Sequence, residues 1–136
     1  MKGLSKGSLF FCALMSAGSS PAFAEELVDA TMPERIYEIA RGFGSAELGK
    51  DSQGDPRIIG RVDGTKYGVY FYGCAKGREC DDIQFSAGWS GPKVSLEKIN
   101  EWNRDKRFGK AYIDSDGDPR LEMEVNLDYG VSAKNL

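Results

Sequence analysis

Three groups of residues in this chain have types and spacing that could do chemistry. They are Cys74-Ala-Lys-Gly-Arg-Glu-Cys80, a heptapeptide of the form Asp-Ser-x-Gly-Asp-Pro-Arg repeated at residues 51–57 and 114–120, and several neighbouring carboxylates. Two cysteines that close a loop of seven residues read as a local disulfide in an oxidising compartment. In the chain-entropy treatment such a loop contributes about 2 kcal/mol. Redox motifs place two residues between the cysteines; here there are five, and no other soft ligand accompanies the pair. The second heptapeptide sets Asp114, Asp116 and Asp118 at alternate positions, like the opening of a calcium loop. That loop type needs glycine at its sixth position and glutamate at its twelfth, where this chain has Pro119 and Val125. Both copies therefore read as hairpin turns in which Asp and Gly serve the backbone, with calcium at Asp114, Asp116 and Asp118 as the lesser alternative.

Histidine is absent from the chain. That removes imidazole acid–base catalysis, His-activated nucleophiles and the usual zinc sites. Carboxylates alone could cleave a glycan, through pairs such as Asp81-Asp82, Asp114/Asp116 or Glu122/Glu124. A working pair must flank its substrate with about 5–9 Å between carboxyl groups. Glu122 and Glu124 alternate with apolar residues on one strand and share its solvent side, while the aspartates fall in turns. No catalytic residue, resident metal or cofactor is expected, and the reading is non-enzymatic.

Residues 1–24 bear on where the protein works. Lys2 and Lys6 precede an apolar run from Leu9 to Ala17, and the segment closes on Ala22-Phe23-Ala24. Charge, apolar core and small residues in that order predict a cleavable secretory signal, cut before Glu25. The run is far shorter than the roughly 20 residues that span a bilayer. Residues 25–136 then form a single domain in the periplasm or outside the cell, with no membrane insertion after cleavage. The chain carries 18 Lys and Arg against 21 Asp and Glu, and loss of the two leader lysines moves its formal charge from −3 to −5. An acidic surface without a basic run argues against nucleic acid as a partner.

The elements that must position these groups follow from periodicity. Thr31-Met-Pro-Glu34 predicts a capped helix start, with Ile36, Ile39, Ala40 and Phe43 on one face and Gly42 and Gly44 at the end. Strands are expected at 46–50, 57–62, 66–73 and 82–86, with Asp63-Gly64 as a tight hairpin. Tyr67, Val69 and Phe71 share one face of their strand; Tyr70 and Tyr72 share the other. A second helix spans 95–104, capped by Ser95, with Leu96, Ile99 and Trp102 or Asn103 inward. A final hairpin joins 110–113 to 120–127, where Leu121, Met123, Val125 and Leu127 alternate with polar residues and predict one buried face. The fold class is α+β, an antiparallel sheet packed by helices on one side. Tyr70, Tyr72 and Trp89 are the candidate binding surface, and Asn100, Trp102, Asn103 and Arg104 are expected to hold the second helix to its neighbours, with Trp102 in the core.

Val69-Tyr-Phe-Tyr-Gly-Cys74, Cys80-Asp-Asp-Ile-Gln-Phe85 and above all Asn100-Glu-Trp-Asn-Arg104 followed by Phe108-Gly-Lys-Ala-Tyr112 resemble the YbjN family of small bacterial proteins, which are assigned to sensory-transduction regulation. The cysteine pair resembles an exported branch of that family. The resemblance implies a fold like that of type III secretion chaperones and no known reaction or cofactor. It also implies a C-terminal helix after Gly130-Val-Ser132, for which only four residues follow Ser132, too few for a stable helix. The final sheet face is then expected to lack part of its cover, or the sequence to be truncated. The functional expectation is a non-catalytic envelope adaptor or regulator with a protein partner, a homodimer included. The alternatives are a small exported hydrolase inhibitor acting through the loop Ala75–Glu79, and a calcium-responsive binding protein.

Overall fold

The computed structural model describes residues 26–136, so the predicted leader and its cleavage site lie outside the described residues. The order is β1 (Leu27–Val28), α1 (Pro33–Phe43), β2 (Ser45–Lys50), β3 (Pro56–Val62), β4 (Thr65–Tyr72), β5 (Asp82–Gly88), α2 (Leu96–Asp105), β6 (Lys110–Ile113), β7 (Pro119–Asn126) and β8 (Val131–Ser132). Six strands form one antiparallel sheet in the order β2-β3-β4-β5-β7-β6, and β1 pairs with β8 in a short ribbon. The chain is thus α+β. The β6–β7 hairpin enters the sheet with β7 inward, which leaves β2 and β6 as the edges.

Pairing register sorts the side chains. Phe71 lies opposite Ile83, and Ile83 opposite Val125; Val69 opposes Phe85, and Phe85 opposes Met123. These residues make one apolar face, and α1 covers part of it with Ile36 and Ala40 against Ile58 and Val69. The core is completed at one end by Val28 of β1, Leu127 and Cys80. The turn from α1 into β2 is tight enough that a Cβ at Gly44 would collide with the Arg61 carbonyl, so glycine is required there. At the β3–β4 hairpin, Asp63 and Gly64 both take positive φ, as the Asp-Gly pair predicts.

Four expectations change. Thr31 does not cap α1: its hydroxyl donates to Asp29 Oδ1 at 2.6 Å, the N-cap is Met32, and no side chain caps the helix. Leu96 is 69% exposed and Trp102 38% exposed, so α2 buries only Ile99. Trp102 stands outside the core, with the Lys106 ammonium 5.7 Å from its ring. Its helix lies along the narrow edge strand β6, too little surface to cover a wide stripe. Finally, the β7 face is not uniformly buried: Met123 is 37% exposed, because among the described residues it lies in an open cleft.

Candidate functional site

The uncovered part of the apolar face forms a cleft of about 410 Å³. Its floor is built by Tyr67, Phe85, Leu121 and Met123; Ile39 and Phe43 of α1 make one wall, and Phe108, from the loop before β6, stands at the other. Phe43 and Phe108 are 72% and 73% exposed. Helical spacing places Ile39 and Phe43 beside Ile36 on the same stripe of α1, but the stripe is wider than the sheet surface beneath it, so its outer half faces the cleft. Burial raises the pKa of the Tyr67 hydroxyl above its ordinary value. The C-terminal Leu136 also reaches this cleft.

The opposite face is polar. Along one row, Arg57 opposes Tyr70, Tyr70 opposes Gln84, and Gln84 opposes Glu124. Gln84 donates to Glu124 Oε1 at 3.1 Å and accepts from the Tyr72 hydroxyl at 3.5 Å, the outer limit for such a bond. Burial and then the Glu122 carboxylate raise the Tyr72 pKa, with smaller contributions from Tyr70, Glu124 and Asp51. Glu122 accepts from Tyr112 at 2.7 Å and pairs with Lys110 at 3.1 Å. That hydrogen bond, followed by burial, raises the Tyr112 pKa.

Tyr70 and Tyr72 share this polar face, whereas Trp89 sits elsewhere, in a shallow cavity of about 250 Å³ with Ile99, Trp102 and Leu121. The three aromatics do not form one surface. Asn103 donates to the Ala111 carbonyl at 3.0 Å and accepts from the Ala111 N–H at 2.9 Å, occupying the outer backbone groups of edge strand β6 as a neighbouring strand would. Among the described residues Arg104 pairs only with the adjacent Asp105, and Asn100 is solvent-exposed. A disulfide joins Cys74 to Cys80, and it anchors the loop to the core because Cys80 is buried.

The two heptapeptide turns have the same hydrogen bonds. Asp51 Oδ1 accepts from the N–H groups of Gln53 and Asp55, and Asp114 Oδ1 accepts from those of Asp116 and Asp118. In the second copy Asp114 Oδ2 also accepts from Arg120 Nε at 2.8 Å. The Arg120 guanidinium, then the Asp118 N–H, hold the Asp114 carboxyl below the ordinary range. With three donors on its two oxygens, Asp114 is committed to its own turn, and the described residues contain no group of three or more His, Cys, Asp or Glu side chains placed to hold a metal ion. The geometry gives the calcium reading at Asp114, Asp116 and Asp118 no support.

Arg57, Gln84 and the cleft-wall pair Phe43 and Phe108 were not singled out as site residues from sequence. Arg57 was within reach: the Asp63-Gly64 turn fixes the β3–β4 register and hence the Arg57–Tyr70 pairing. The exposure of Phe43 and Phe108 depends on what fails to cover them, which no local pattern encodes.

A six-stranded antiparallel sheet with helices over part of its apolar face and an open cleft beside them defines a small α+β protein with one packed and one polar sheet face. The family model of YbjN, described as "Putative bacterial sensory transduction regulator", matches residues 32–136, and the chain belongs to that family. No curated protein matches the chain. Among the described residues, no helix is long and apolar enough to cross a membrane.

Proposed function

We propose that this protein is a non-catalytic adaptor of the bacterial envelope that seats an amphipathic helix of a partner protein in the cleft between α1 and Phe108. The observation that carries this reading is the cleft itself: an apolar sheet floor, a helix along one wall, and two phenylalanines largely in water at its mouth. An apolar sheet face is ordinarily covered by helices, and here part of that layer is left open. A helix presenting apolar residues at i, i+3 or i+4, and i+7 completes it. Membership of a family described as regulators supports a role exercised through a partner. The predicted leader and the Cys74–Cys80 disulfide support export. The inhibitor alternative gains nothing, because the Ala75–Glu79 loop lies against the first heptapeptide turn, with Gly77 close to the Gly54 carbonyl.

Crosslinking and affinity capture of the tagged, exported protein from its own bacterial envelope test this, with Phe108→Asp and Phe43→Asp variants run alongside. A single dominant partner captured by the wild type and lost with either variant is the expected result. Capture that survives both variants moves the interface off the cleft, and self-crosslinks alone replace the adaptor with a homodimer.

A further inference from the structure

Two copies of one heptapeptide end in arginines with different fates. Arg120 lies over Gly88, its cross-strand neighbour, and turns back onto Asp114. Arg57 likewise lies between a glycine and a tyrosine, Gly49 and Tyr70, but it makes no ion pair to its own turn, and its Nε is buried without a hydrogen-bond partner. Arg35 also has a buried, unpartnered Nε, but its guanidinium already pairs with Glu38 at 3.0 Å. Arg57 therefore combines partial loss of water with the lack of a carboxylate among the described residues. The terminal guanidinium nitrogens, which are not among the buried atoms, are the ones an incoming anion can reach, and their fork matches a carboxylate.

The surroundings narrow the anion's class. The Tyr70 ring is laid over Gly68, where a Cβ would clash with it, so the ring presents a platform along the strand. Tyr72 and Gln84 add a hydroxyl and an amide beside it. β3, β4 and β5 are interior strands, so their backbone groups are used within the sheet and no edge is free to pair with a peptide. Glu124 ends the row, and Glu122 and Asp51 stand near Tyr72, which disfavours an anionic polymer and leaves the Arg57 guanidinium as the one place for a single negative charge. Across three strand spacings the row spans roughly 14 Å.

We propose that the row Arg57–Tyr70–Gln84 binds a carboxylate-bearing sugar of the uronate class, with the carboxylate on Arg57, the sugar ring on Tyr70, and ring hydroxyls on Gln84 and Tyr72. This site lies on the sheet face opposite the cleft and is independent of the adaptor reading.

Titration of the mature protein with sodium glucuronate at constant ionic strength, followed through backbone amide shifts, tests the assignment. Saturable binding with shifts centred on residues 57, 70 and 84 is expected, with glucose bound more weakly. Arg57→Gln should weaken glucuronate by at least about tenfold, the worth of one hydrogen bond to a charged group, while Arg120→Gln leaves it unchanged. Tyr70→Phe should retain binding and Tyr70→Ala should lose it, with thermal melts confirming that each variant is folded. No saturable binding overturns the proposal. So does equal loss in the two arginine variants, and so does trialanine binding as tightly as glucuronate, which would assign the site to peptide carboxylates.

Discussion

The two ends of the same apolar sheet face differ sharply in cover. At one end Phe71 and Ile83 are 1% and 0% exposed, closed in by Ile36 of α1, Val28 of the β1–β8 ribbon, Cys80 and Leu127. At the other, Tyr67, Leu121 and Met123 continue the same strands with the same alternation, yet they floor an open cleft. The strands are continuous and the binary pattern is uniform, so the difference lies in what sits above them. Alternation specifies which face is apolar; it does not specify that the face is covered. The packed end supplies folding energy, and the open end leaves apolar surface exposed, the feature on which the proposed docking rests.

Paired truncations sharpen this contrast most. Phe71→Ala removes a fully enclosed aromatic and should cost about 3–5 kcal/mol. Phe108→Ala removes an aromatic that is mostly in water and should change stability by no more than about 0.5 kcal/mol, as surface substitutions do. Urea denaturation of both variants measures the difference. Comparable losses would mean that the cleft wall is part of the core.

The disulfide belongs to the packed end. Replacing Cys74 and Cys80 together with serine should cost about 2 kcal/mol through the lost constraint on the unfolded chain. The cleft should be untouched: an apolar fluorescent dye should bind the folded variant and the wild type with the same affinity. If dye affinity changes with the disulfide, the two ends are mechanically linked and the contrast between them weakens.

Much of the fold is legible in the sequence because it is local. The helix at 33–43, the Asp63-Gly64 hairpin, the Ser95 cap and the alternation of Leu121, Met123 and Val125 each depend on residues a few positions apart. Ser95 Oγ does accept from the Lys98 N–H, at 3.2 Å. Thr31 does not cap because the helix starts one residue later, with Met32 at the N-cap, while Asp29 holds the Thr31 N–H and hydroxyl in a turn of its own; propensity does not fix the first residue of a helix. The different fates of Arg57 and Arg120 were half legible. The β3–β4 turn fixes Tyr70 opposite Arg57, but Gly88 meets Arg120 only because β7, rather than β6, pairs with β5. The Asn103 contacts to Ala111 are nonlocal in the same way, linking a helix to an edge that must first be built.

The smallest expected effect concerns the β6–β7 hairpin, which brings Leu121 to the open end and is held by a charge, whereas the packed end is held by apolar contacts. The Asp114 carboxyl sits below its ordinary pKa, chiefly because Arg120 donates to it. A depressed folded-state pKa means that the unfolded chain takes up the proton first. The stabilisation is therefore present above the ordinary aspartate value of about 3.9 and is lost as pH falls through the lower folded-state value. Asp114→Asn should melt below the wild type at neutral pH, and the gap should shrink as pH falls below that ordinary value. The gap between Phe71→Ala and the wild type should not follow this course, since it arises from apolar burial. A gap for Asp114→Asn that stays constant to low pH would show that the hairpin depends on the shape and hydrogen bonds of the Asp114 side chain and not on its charge, and the contrast in what holds the two ends would weaken.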